Sequence, residues 1–313
     1  MSWVEHAIWW HIYPLGLCGA PIREPDTAPG PRLRRLLGWL DYAVELGCSG
    51  LLLGPIFASQ SHGYDSLDLF RIDPRLGDEA DFAELVSQCR ERGLRILLDG
   101  VFSHVGSEHP DVRHALTQGP GSPAGKLFDI DWQHPGGPRP QVFEGHSSLV
   151  RLNHSSQEAV DLVVRVMDHW LDRGIDGWRL DAAYSVPPGF WSRVVERVRP
   201  RHPDAWLLGE VLHGDYCAFV AESGIDSVTQ YELWKAIWSS INDRNLFELD
   251  HALGRHNQFL GSFIPNTFVG NHDVTRIASR VGLDGTVTAL AVLMTVAGIP
   301  SIYYGDEQAF VGI

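Results

Sequence analysis

The chain has no excess of positive charge. Its formal charge is −14, and a protein that displaces counterions from nucleic acid or an anionic membrane needs a net basic surface, so neither partner is expected. The four cysteines, Cys18, Cys48, Cys89 and Cys217, form no CxxC pair and have no histidine at metal spacing. Buried free thiols in a reducing cytoplasm are the simplest reading of them. The opening MSWVEHAIWWHIYP lacks a basic segment followed by a long apolar run, and no twenty or so apolar residues stand together. A soluble, cytoplasmic protein is expected.

What the sequence does have is 313 residues, 44% of them hydrophobic, enough for one large core. Short apolar runs alternate with amphipathic stretches, the pattern of parallel strands joined by crossover helices. The runs read as strands at 8–13, 50–53, 95–98, 177–180, 206–208, 227–229, 267–269 and 301–304. Phe82, Leu85, Val86 and Cys89 keep the i, i+3, i+4, i+7 spacing of a helix, as do Val160, Val163, Val164 and Met167. Ser155-x-x-Glu158 predicts a capping box for the second of these helices, and Gly93 and Gly174 predict where the two end.

From about Val105 to His154 the alternation stops. The segment is rich in Gly and Pro, with GPGSPAG and HPGGPRP, and a loop of this length is usually functional. Phe128, Trp132 and Phe143 give it something to bury, so it reads as a cleft wall. Eight strand–helix units with one insertion predict an α/β fold, a (β/α)8 TIM barrel. Residues 1–104 and 156–313 would be barrel and 105–155 a loop-rich insertion after the third strand. No GxGxxG or GxxxxGK[ST] follows a strand, so the nucleotide-binding forms of α/β architecture lack their phosphate loop. There is no HxH on the first strand and no HExxH, so no metal-ligand set is expected.

In such a barrel the catalytic groups come from the C-terminal ends of the strands. Four strand ends carry carboxylates: LLDGVFSH with Asp99 and His104, GWRLDAA with Arg179 and Asp181, WLLGEV with Glu210, and FVGNHD with His272 and Asp273. Carboxylates beside apolar strand cores are costly unless paired or used. Several converging on one rim with one arginine suit acetal hydrolysis, which needs an acid for the leaving oxygen and a carboxylate for the oxocarbenium-like centre.

In order and nearly residue by residue, these four motifs resemble the α-amylase family of glycoside hydrolases. GPIFASQSHGYDSLDLFRIDPRLG and GIPSIYYGDEQ extend the likeness over most of the chain. The resemblance implies Asp181 as nucleophile, Glu210 as general acid/base and Asp273 as transition-state stabiliser. It also implies that Arg179 keeps Asp181 ionised, that His104 and His272 bond hydroxyls of the cleaved sugar, and that Tyr64 is a stacking floor. Asp99 would be supporting. Asp65 and Arg276 match positions that pair and clasp a terminal sugar in exo-acting members. Ser103 stands where calcium-binding members carry Asn, and Tyr184-Ser185 where starch-degrading members carry Lys-His. The first departure argues against a calcium site in its usual place, and no cofactor is expected; the second favours short oligosaccharides.

The function implied is retaining hydrolysis of α-glucosidic bonds in maltooligosaccharides or α-glucans. A transglycosylase or isomerase of the same family, such as a trehalose synthase, and a non-catalytic barrel module remain open beside it. The sequence stops soon after the eighth strand, where the family continues with a closing helix and a β-sandwich. The expectation is therefore a truncated barrel whose last strand, around Ile302, and whose first strand show apolar surface unless a partner or a further segment covers it.

Overall fold

The computed structural model describes residues 3–22 and 28–313. Each apolar run forms a strand: β1 Trp9–Ile12, β2 Gly50–Leu53, β3 Arg95–Gly100, β4 Gly177–Leu180, β5 Trp206–Gly209, β6 Ser227–Val228, β7 Asn266–Phe268 and β8 Ile299–Tyr303. They pair in parallel in the order β6-β5-β4-β3-β2-β1-β8-β7. A parallel bridge from Thr229 to Asn266 brings the two ends of the sheet together, giving the expected (β/α)8 architecture. The barrel helices are α1 Leu40–Glu45, α2 Glu79–Glu91, α3 Gln157–Leu171, α4 Pro188–Val198, α5 Tyr216–Ser223, α6 Tyr231–Asp243, α7 Phe247–Phe259 and α8 Ile277–Thr295. Both α6 and α7 follow β6.

Strand periodicity explains where the polar groups emerge. Trp9, Leu52, Leu97, Trp206, Leu208 and Ile299 pack together as an apolar floor inside the barrel. Side chains two residues apart share a face, so the next layer up holds His11, Asp99, Arg179 and Glu210. Asp99 and Arg179 are register partners across β3 and β4. Gly177 lets β4 approach β5, since a Cβ there would meet the Trp206 backbone.

Helix caps depart from the sequence reading at one point. The Ser156 hydroxyl, not a Ser155–Glu158 box, caps α3 by accepting from the Ala159 N–H at 3.1 Å. Asn153 Oδ1 takes the Ser155 N–H at 3.1 Å, which delays the helix start by one residue, and Glu158 faces Lys126 at 3.4 Å instead. The reciprocal box lies on α2, between Asp78 and Asp81. Gly93 and Gly174, at φ 71° and 98°, close the two helices as expected.

The 105–155 segment is not a bare loop. His104–Gly106, His146–Arg151 and Val142–Phe143 form an antiparallel three-stranded sheet, and short helices cover 110–118 and 123–127. Phe128 is buried in the main core and Trp132 packs against it.

The expectation of exposed apolar surface at the last strand fails at Ile302 and Trp10, which are 3% and 2% exposed. Trp39 and Tyr42 pack on Trp10, and Tyr42 joins Glu307 and Gln308 by hydrogen bonds across this side. Apolar exposure falls instead on α8, at Leu283 and Val287, and on the residues that follow β8, at Phe310, Val311 and Ile313. By length and composition alone α8 could cross a membrane, but it is interrupted at Gly282, whose φ is 72°. Its Ile277, Ala289 and Leu293 pack with Leu233 and Ile237 of α6.

Candidate active site

Arg179 is the centre of the rim. Its Nη1 donates to both oxygens of Asp99 at 2.7 Å and reaches Asp181 Oδ1 at 3.3 Å; its Nη2 lies 2.8 Å from Glu210 Oε1. All four side chains are buried. Three carboxyls and one guanidinium in a low-dielectric site cannot all be ionised without a large penalty, so the group retains a proton. Burial pushes Asp99 up to about 6 against the pull of Arg179. Burial, then Glu210 and Asp99, push Asp181 well above the ordinary carboxylate range.

Asp181 and Glu210 are held differently. Glu210 takes three donors: Arg179, the Tyr231 hydroxyl at 3.0 Å and the Ala182 N–H at 2.9 Å. Asp181 has one long contact to Arg179. Ala182 sits at φ 44°, ψ 38°, a left-handed conformation unusual for alanine and often found where a site needs it. That turn aims its N–H at Glu210. Asn271 completes the arrangement: its Nδ2 donates to the Tyr231 hydroxyl at 2.9 Å, and its Oδ1 accepts the Asp273 N–H at 2.9 Å.

On the other side Tyr64 lies nearly parallel to His272, with ring centroids 5.3 Å apart, and Tyr13 continues the stack. The Tyr64 hydroxyl meets Asp99 Oδ2 at 3.1 Å and also the His272 Nε2. Burial and Arg179 hold His272 down to about 3, and burial holds His104 at about 4, so both rings are neutral at pH 7. His104 is fully committed: Nε2 donates to the Tyr64 carbonyl at 2.9 Å and Nδ1 accepts from Ser103 at 2.7 Å. It therefore offers a ring face, packed on Phe143 at 4.4 Å, rather than a free hydrogen-bonding nitrogen.

Tyr64, His104, Asp181, Glu210 and Asp273 line a cavity of about 480 Å³, whose walls also include Phe143, Glu144, Tyr184, Leu212 and Tyr231. Asp273 is exposed at its mouth. The suggested Asp65–Arg276 clasp is not formed. Arg276 bonds Asp306 at 3.0 Å and the Tyr304 carbonyl at 2.9 Å, and the Asp65 carboxylate is held by Ser61. Among the described residues, no three His, Cys, Asp or Glu side chains gather in a way that could hold a metal ion.

The description "Alpha amylase, catalytic domain" matches residues 33–313. The chain belongs to the α-amylase family. The cyclomaltodextrinase of Geobacillus thermopakistaniensis is 32% identical over 338 aligned residues, covering 99% of this chain and 57% of that protein. The maltogenic α-amylase of Bacillus acidopullulyticus is 30% identical, with 99% and 57% covered. The structure of the cyclic α-maltosyl-(1→6)-maltose hydrolase of Arthrobacter globiformis superposes with a TM-score of 0.85 at 27% identity, over 99% of this chain and 76% of that one. The chain thus spans little more than half the length of the curated relatives it matches.

Within this α-amylase-family barrel, sequence reasoning missed Tyr231, Asn271, Tyr13 and Ala182. Asn271 lay in the FVGNHD motif and was readable as part of it. Tyr231 and Tyr13 sit at helix starts after short strands, where an aromatic ordinarily signals packing. Nothing in DAAYS announces a left-handed alanine.

Proposed function

We propose that the protein is a retaining glycosidase that cleaves α-glucosidic bonds in short maltooligosaccharides, linear or cyclic. The observation that carries this reading is the convergence of Asp181 and Glu210 on one guanidinium beneath a sugar-sized cavity, in a chain of the α-amylase family. Glu210 gives its proton to the leaving oxygen while Asp181 attacks the anomeric carbon, forming a glycosyl ester and freeing the leaving sugar of a linear substrate or opening the ring of a cyclic one. Water, deprotonated by Glu210, then breaks the ester and restores Asp181. Asp273 stabilises the positive charge between these steps. Burial beside Glu210 and Asp99 raises Asp181, which opposes the ionised state that its attack requires. Positive charge growing at the anomeric carbon favours ionised Asp181, as does the Arg179 guanidinium 3.3 Å from its Oδ1.

The relatives' names, cyclomaltodextrinase and maltogenic α-amylase, point to the same substrate class. The Tyr64–His272–Tyr13 stack supplies a face for a pyranose ring, and the 105–155 segment supplies the facing wall. Buried free thiols at Cys18, Cys48 and Cys89 fit a cytoplasmic setting. The test is incubation with maltose, maltotriose, isomaltose, trehalose and β-cyclodextrin. Turnover of the maltooligosaccharides should fall by several orders of magnitude in Asp181→Asn and in Glu210→Gln. Near-normal activity in either folded variant would sink the residue assignment.

A further inference from the structure

The insertion reaches back across the cleft at one point. The Glu144 carboxylate accepts a hydrogen bond from the Tyr184 hydroxyl at 2.7 Å, and both residues line the catalytic cavity. Glu144 occupies the tip of the hairpin joining Val142–Phe143 to His146–Arg151. It lies at φ 46° and is followed by Gly145 at φ 82°. Two successive left-handed residues form the kind of turn that favours Asn, Asp or Gly at its first centre. A glutamate there is sterically disfavoured, and such outliers cluster where a site uses them. Asp or Asn would fit the turn better but would be one methylene too short for the same reach.

Tyr184 stands three residues beyond Asp181, and its ring lies 6.2 Å from that of His213, three residues beyond Glu210. Glu210 delivers its proton to the leaving oxygen, so the leaving sugar lies on the Glu210 side of the cavity, and Tyr184 stands beside that residue, its backbone N–H donating to the Glu210 carbonyl at 3.1 Å. Tyr64 and His272 stand beside Asp99, while His104 packs on Phe143 of the hairpin.

We propose that the Glu144–Tyr184 contact is a strap closing the leaving-group side, and that these two residues determine which leaving groups the site accepts. With the strap made, a narrow linear chain passes beneath it. A cyclic substrate, whose glycosyl and leaving sugars are joined through the ring, brings the bulk of that ring to the leaving-group side and must displace the strap, at the cost of one broken charge-assisted hydrogen bond.

This rests on the glycosidase reading, and the experiment separates the two. The ratio of kcat/KM for β-cyclodextrin to that for maltotriose is measured in the wild type, Tyr184→Phe, Glu144→Ala and the double variant. Each single substitution should raise the ratio about tenfold, the equivalent of one hydrogen bond to a charged group. The double variant should match the singles, because all three remove one contact. An active wild type whose ratio changes less than twofold in both singles overturns the strap and leaves the glycosidase reading standing. So do effects of the two substitutions that multiply. A wild type inactive on every α-glucoside takes both down. Tyr184→Phe removes one oxygen from a partly exposed ring, so it tests the strap even should Glu144→Ala disturb the hairpin.

Discussion

Tyr231→Phe removes one oxygen atom from the site and leaves the ring in place against Phe268 and Trp234. That oxygen donates to Glu210 Oε1 at 3.0 Å and accepts from Asn271 Nδ2 at 2.9 Å. During the first chemical step Glu210 passes from carboxylic acid to carboxylate, so the bond from Tyr231 strengthens as the barrier is climbed and contributes to the transition state more than to the bound substrate. A hydrogen bond to a charged group is worth about 1.5–3 kcal/mol. With part of that realised only at the transition state, kcat/KM should fall about 10- to 100-fold, mostly in kcat. The orphaned Asn271 amide adds a desolvation penalty of about 1–3 kcal/mol to folding, seen as a lower thermal midpoint. Initial rates on maltotriose and a melting curve measure the two effects separately. A variant that melts earlier but keeps kcat/KM within twofold would show that Tyr231 only supports the wall, and would refute the argument from charge development.

Other expectations concern protonation and capping. Asp181 must be ionised to attack, and its pKa is raised. Asp99, which steadies Arg179, is pushed up to about 6. Groups so raised gain protons as pH falls through their folded values, so kcat/KM should decline reversibly below about pH 6, well above the ordinary carboxylate value of about 4. A profile flat down to pH 4.5 would contradict the proton assignment. Ser156→Ala should cost about 1 kcal/mol of stability in denaturant unfolding, the usual worth of a helix cap. Ser155→Ala should change it by less than about half that; the opposite order would return the cap to Ser155.

Much of the barrel was legible because its strands are buried on both faces and therefore appear as short continuous apolar runs. The carboxylate positions followed from strand ends, where a polar residue after an apolar core has few other reasons to be. What escaped depends on side-chain competition and backbone hand. Arg276 could be matched to a clasp from its spacing to Asp273, but Asp306, thirty residues away, holds it. Ser155 and Ser156 are equivalent as cap formers in sequence, and only the Asn153 turn decides between them. The insertion showed no periodicity because its strands are two to six residues long and its buried residues, such as Phe128 and Val150, pack into the main core as well as onto one another. His104 was readable as a site residue, but not that Ser103 and the Tyr64 carbonyl would engage both its nitrogens.

The central claim is double displacement through Asp181 with Glu210 as acid and base. Proton NMR of maltotriose hydrolysis, recorded before mutarotation equilibrates the products, tests it most directly. Two inversions at the same carbon return the α configuration, so the first reducing-end product released from the cleaved sugar should be the α-anomer. Appearance of the β-anomer first would mean that water, not Asp181, attacks the anomeric carbon, and would contradict the account.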